Sequence, residues 1–271
     1  MQYGFIDTVN SQASNQVTSE NKLIYNNVII DDVLTDVNGE VITLNVDGRG
    51  MAQYNIRAVD VNGLDGTMYQ GINLQARELS VEILISAINA VEFRKKYERL
   101  NKILRNKNEV AIRFSDESDR YYFGIYVSSS APKEDSNEQI ITLKIMCSDP
   151  LKYTKLNTLT YANSSTIDID SDYPVKPIIE VTFASNTDSF SIRNSTTGKT
   201  VSYKKYDAVS ANIFKFDFDI GTITRGTTNV DALNGLVLTS NFEDFTIDDG
   251  NQVVITPPPQ TVVIKYRGAF L

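Results

Sequence analysis

The chain has 271 residues, 41% of them hydrophobic and 22% charged, with a formal net charge of -8 and no histidine. It is therefore long enough for two soluble domains but has no imidazole for Ser-His-Asp or Cys-His catalysis. One cysteine and no histidine also deny the usual zinc and non-haem iron sites their ligands and allow no internal disulfide. The acidic surplus, present in both halves, argues against nucleic-acid binding as the main activity.

In chain order, the opening MQYGFIDTVNSQ has no basic segment followed by an apolar run, so it predicts no secretory leader. The polar stretch 10–22 reads as a long loop. DVNGLDGT at 60–67 holds Asn-Gly and Asp-Gly, which predict tight turns with positive φ. It lacks the glycine spacing and Lys-Ser/Thr of a phosphate loop. ELSVEILI at 78–85 places Leu79, Val81, Ile83 and Ile85 on one face of a strand. The most apolar window, ILISAINAV, is far shorter than the ~20 residues of a membrane helix.

From Asn89 the period changes to that of a helix, with Phe93, Tyr97, Leu100 and Leu104 on one stripe. Asn89 is the expected N-cap with Glu92 three residues on, and Glu98 with Lys102 the expected i,i+4 pair. Arg94, Lys95, Lys96, Arg99, Lys102, Arg105 and Lys107 give this segment a basic face, read as solvated or turned toward a neighbouring subunit. VAIRF and RYYFGIYV then flank the polar turn Ser115–Asp119 as a hairpin. In QIITLKIMC, Ile141, Leu143, Ile145 and Cys147 share the apolar face. Cys147 is thus a small core side chain, since nothing beside it supplies the electropositive setting of a reactive thiol.

Pro150 ends the ladder, and SDPLKYT marks a domain boundary, giving an N-terminal domain over 1–152 and a C-terminal one over 153–271. Beyond it KPIIEVTF, SFSIRN, KTVSYKKY, NIFKFDFDIGTITR, GLVLTS and TVVIKYRGAF predict the short strands of an all-β sandwich. Phe214, Phe216 and Phe218 point to one side, and Lys215, Asp217 and Asp219 to the other. Asp168, Asp170 and Asp172 have the spacing that opens a calcium loop. Tyr173 and Ile179 stand where an EF-hand needs glycine and glutamate, so these aspartates read as the wet face of a strand. Tyr121, Tyr122 and Tyr126 suit interfaces or sugar stacking. The sequons at Asn163 and Asn194 carry no weight without a leader.

The order of these pieces resembles the distal tail protein (Dit) family of long-tailed, non-contractile phages. The shared pieces are the Gly-Leu-Asp-Gly turn, the ARELSVEILI strand, the helix, the RYYFG hairpin, the SDPLKY boundary and the IRNSTTG turn. The resemblance implies a mainly β chain. It comprises an N-terminal β-sandwich with one α-helix and an extended hairpin, the ring-forming belt domain, followed by a C-terminal galectin-like β-sandwich. It also implies a homohexameric ring at the tail tip, joining the major tail tube protein to the tail-associated tip protein and anchoring receptor-binding proteins. No catalytic, cofactor or metal residue, specific nucleic-acid contact or membrane contact is expected. Localisation would be the virion tail, reached through the bacterial host cytoplasm. A carbohydrate-binding module recognising host cell-surface glycans is the competing reading, and a hydrolase using paired carboxylates a more remote one.

Overall fold

The computed structural model describes residues 21–63, 65–130, 136–161 and 165–271; most of the 10–22 stretch and the sequon at Asn163 fall outside them. Contacts divide the chain into two compact units. One takes the chain up to Arg49 with Glu78–Asp116 and Ile125–Met146; the other takes Gly50–Arg77, Glu117–Gly124 and Cys147–Leu271.

The elements up to Cys147 are β1 (Leu23–Tyr25), β2 (Val28–Ile29), α1 (Ile30–Leu34), β3 (Gly39–Asp47), β4 (Tyr54–Asp60), β5 (Thr67–Leu74), β6 (Arg77–Ala87), α2 (Ala90–Leu104), β7 (Val110–Phe114), β8 (Arg120–Ser129) and β9 (Glu138–Cys147). Their main sheet runs β2-β1-β7-β8-β9-β6-β3, so the expected β7–β8 hairpin forms. The alternation read from the sequence decides burial: Leu79, Val81, Ile83 and Ile85 on β6 and Ile141, Leu143, Ile145 and Cys147 on β9 are all buried.

Helix α2 starts as expected, the Asn89 side chain accepting from the Glu92 backbone N–H at 2.9 Å. Phe93, Leu100 and Leu104 are buried, while Tyr97 is half-buried and donates to Gln139. Two expectations need correction. The ion pair formed is Glu92 with Lys95, three residues apart, not Glu98 with Lys102. Lys96 is not on a solvated face but only 2% exposed, donating to the Leu34 and Gly39 carbonyls and to Asp36. The helix also stops at Leu104, leaving Arg105 as its cap and Lys107 beyond it. A second helix, the five-residue α1, is too short to show a period in sequence. Asp31 ties it to β3 by accepting from the Thr43 N–H and hydroxyl at 2.8 and 2.7 Å.

The remaining strands are β10 (Lys152–Thr154), β11 (Asn157–Tyr161), β12 (Ser165–Thr166), β13 (Ile178–Thr182), β14 (Ser189–Asn194), β15 (Thr200–Lys204), β16 (Ile213–Asp217), β17 (Thr222–Arg225), β18 (Val230–Asp231), β19 (Gln252–Thr256), β20 (Thr261–Tyr266) and β21 (Ala269–Phe270). A six-stranded sheet β11-β20-β13-β16-β17-β18 faces a four-stranded one, β12-β19-β14-β15. Ile179, Phe214, Phe216 and Ile264 from the first and Phe190, Ile192, Tyr203 and Ile255 from the second form one core, as a two-sheet sandwich requires. Aromatic pairs such as Phe190–Phe214, with ring centroids 4.8 Å apart, fill it.

Three details differ from the sequence expectation. GLVLTS is no strand: Leu233–Gly235 winds into a 3-10 turn and Leu238 is fully exposed. Gly235 lies so close to the Tyr203 ring that a Cβ there would come within 2.2 Å of it, which an extended side-chain-bearing residue would not tolerate. Asp217 does not stand in water but is only 7% exposed. The Asp168–Asp172 stretch alternates buried isoleucine with exposed aspartate as expected, yet lies outside any ladder.

Arg225, 4% exposed, closes the β17 end of the sandwich with a two-pronged contact to Asp207 and lies over the Tyr206 ring. The hydrogen bond from Arg225 holds the Asp207 carboxyl below its ordinary value of 3.8. A folded pKa below the unfolded one contributes stability above the unfolded value, and that contribution fades as pH falls through the lowered one. Asp207→Asn is therefore expected to unfold earlier than the wild type in urea at neutral pH, with the gap closing in acid.

Candidate assembly surface

A loop whose glycines Gly63 and Gly66 both take φ near +87° joins β4 and β5, as the Asn-Gly and Asp-Gly pairs predict. Among the described residues, the two strands pair only with each other. Their register sets Tyr54 opposite Leu74, Asn55 opposite Asn73 and Ile56 opposite Ile72, with a bulge between Arg57 and Ala58. Because neighbouring side chains on a strand point to opposite faces, the base of this ribbon has an apolar side (Tyr54, Ile56, Ile72, Leu74) and a polar one (Asn55, Arg57, Asn73). At its base the Tyr54 side chain meets that of Tyr173; beyond that contact the apolar side is open among the described residues, Ile56 being 61% exposed and Ile72 52%. Farther out, Met68 and Tyr69 are exposed as well. An isolated two-stranded ribbon is marginal in water. A contiguous exposed apolar face on a ribbon that no other described strand extends is the signature of an interaction surface.

The other sequence candidates do not converge. On α2, Lys95 and Arg99 are engaged by Glu92 and Asp36, so the basic face is partly neutralised within its own unit. Tyr122 is buried, Tyr121 packs edge-on against Phe123, and Tyr126 is half-buried. Asn194 is buried, donating to Thr246 and Asn251, which closes it to glycosylation. Cys147 is buried. Asp170 pairs with Arg120 at 3.4 Å. Among the described residues, no three His, Cys, Asp or Glu side chains gather as metal ligands, and no helix is long and apolar enough to cross a membrane. Sequence reasoning passed over the ribbon's apolar side, although Tyr54, Ile56, Ile72 and Leu74 flanking two glycine turns were its signal.

Comparison with known proteins gives this geometry a context. A family model described as the phage tail protein RIFT-related domain matches residues 31–147. Another, the C-terminal domain of the siphovirus-type tail component, matches residues 170–270. The distal tail protein of Bacillus phage SPP1 is 30% identical over 145 residues, 51% of this chain and 57% of that one. The match thus spans little more than half of that relative's length. The crystal structure of SPP1 Dit, titled a paradigm of the hub adsorption apparatus in phages infecting Gram-positive hosts, superposes with a TM-score of 0.77. That superposition covers 93% of this chain and 99% of the other at 22% identity. A chain of the phage P2 baseplate in its activated conformation aligns with a TM-score of 0.50 over 84% and 90% of the two chains, at 9% identity. At those identities the structural likenesses speak for the fold, and the sequence matches for descent. With one tail-component model on each half and a distal tail protein as sequence relative, the chain belongs to the siphophage distal tail protein (Dit) family.

Proposed function

We propose that this protein is a structural hub of a phage tail tip. Six copies close head to tail into a ring that joins the tail tube to the tail-associated tip protein and carries receptor-binding proteins on its outer domains. Residues 1–152 would form the ring and 153–271 the projecting domain. The observation that carries this reading is the ribbon: its apolar side, with Ile56 and Ile72 more than half exposed, gains most when a second chain covers it. A head-to-tail contact joins unlike surfaces of neighbours, so one such ribbon per copy is enough to close a ring.

The role is assembly, in the virion tail after synthesis in the host cytoplasm, with neither nucleic acid nor membrane as a specific partner. Light scattering on the purified chain across a concentration series is expected to show a species of six subunits. A strict monomer at every concentration, together with no rings by electron microscopy after mixing with the tail tube protein, would overturn the reading.

A further inference from the structure

The C-terminal unit holds a cavity of about 570 Å³ that the hub role does not use. Its floor is the outer face of the six-stranded sheet, where Lys265, Ile178 and Asp217 stand side by side across β20, β13 and β16. Phe123 and Tyr153 supply aromatic surface, their ring centroids 6.0 Å apart.

The charged lining is Asp149, Asp217 and Asp219 against Lys176, Lys265 and Arg267, so it favours no net charge in a ligand. Much of its bonding capacity is uncommitted. Lys265 is taken by Glu180, and Asp149 by Tyr153 and the Leu151 N–H. Asp217, only 7% exposed, has the Ile220 N–H at 3.3 Å as its hydrogen-bond partner. The side chains of Lys176, Asp219 and Arg267 form no hydrogen bond or ion pair among the described residues. A buried carboxylate is costly unless it is well hydrogen-bonded. Asp217, with one backbone donor, keeps acceptor capacity facing the cavity, in a wall that also offers the cationic donors of Lys176 and Arg267 and two aromatic rings.

From this lining we infer that the cavity binds a neutral carbohydrate. Sugar hydroxyls both donate and accept, so one ring satisfies carboxylates and cations together, while its C–H face packs on Phe123 and Tyr153. The volume lies within the range of small-molecule sites, roughly 300–1,000 Å³. A small cation would answer only the acids, and an anion only Lys176 and Arg267. The inference is independent of ring assembly, because every group belongs to one unit of one chain.

Saturation-transfer NMR on the full chain tests it, with glucose, galactose, N-acetylglucosamine, maltose, lactose and chitobiose as probes. At least one is expected to bind with millimolar affinity, weakened by about tenfold or more in Asp217→Asn and in Lys176→Ala and unchanged in Leu238→Ser, at a fully exposed site. Lys176 is exposed, so its variant keeps the test valid if Asp217→Asn folds poorly. Silence from every probe overturns the inference. So does transfer that survives both substitutions, or preference for glycerol phosphate or methylguanidinium over the sugars.

Discussion

Replacing Ile56 and Ile72 together by aspartate is expected to abolish self-assembly while leaving the thermal transition of the chain close to that of the wild type. Both side chains are more than half exposed and directly opposite on the ribbon, so in the isolated chain they bury little. Surface changes of this kind usually shift stability by no more than about 0.5 kcal/mol, although like charges facing each other add some repulsion across the pair. In an assembled contact the balance differs. Each isoleucine covered by a neighbour contributes ~1.5–3 kcal/mol, and each aspartate would instead be desolvated without a partner. The combined loss, several kcal/mol per contact, weakens association at least ~1,000-fold. Light scattering of the double variant should show monomer where the wild type is assembled. The matching threonine variant, uncharged and β-branched, should fall between the two. Assembly of the aspartate variant at wild-type concentrations would remove the ribbon from the interface.

The ribbon also shows where sequence reading stops. Alternation of apolar and polar residues located β6 and β9 and told which of their faces is buried, Cys147 included. Tyr54-Asn55-Ile56-Arg57 alternates in the same way, yet its apolar side is open beyond Tyr54. Period reports which side chains share a face and says nothing of what lies against it. The same limit explains Lys96 and Asp217. Each sits on the polar side of its local pattern and is nevertheless buried, by chain far away in sequence: for Lys96, the acceptors at Leu34, Asp36 and Gly39. The cavity is drawn from residues between Phe123 and Ala269, and no local motif announces it. GLVLTS failed for another reason. A run of apolar residues too short to show a period takes its conformation from its surroundings, here from the Tyr203 ring that Gly235 packs against.

Lys96→Met, which preserves side-chain volume and helix propensity, is expected to destabilise the N-terminal unit by ~2–4 kcal/mol. The Lys96 ammonium spends all three of its donors inside the protein: on the Leu34 carbonyl at 2.6 Å, the Asp36 carboxylate at 3.0 Å and the Gly39 carbonyl at 3.0 Å. It thereby fastens α2 to the end of α1 and to the turn that leads into β3. The fit is close. Gly39 has φ +149°, and a Cβ there would lie 2.1 Å from the Ser86 carbonyl oxygen and 2.9 Å from Lys96 Cε. Methionine fills the same channel with no donor, so the Leu34 carbonyl loses the ammonium and retains part of its desolvation cost, while the Gly39 carbonyl keeps the Asp36 N–H at 2.9 Å. Asp36, whose side chain is about a third exposed, recovers some hydration, which keeps the loss below that of a fully buried pair. The dependence on pH follows from the same contact. The hydrogen bond from Lys96, then that from the Asn38 N–H, holds the Asp36 carboxyl below its usual value. Its share of stability is present above the ordinary carboxylate range and disappears as pH falls through the lowered value. Urea denaturation should therefore separate Lys96→Met from the wild type most widely at neutral pH and less in acid. Asp36→Asn, which keeps an acceptor for Lys96, should lose less than the methionine variant. Equal stability of Lys96→Met and wild type at neutral pH would mean that packing of the lysine stem, not its three hydrogen bonds, holds the helix in place.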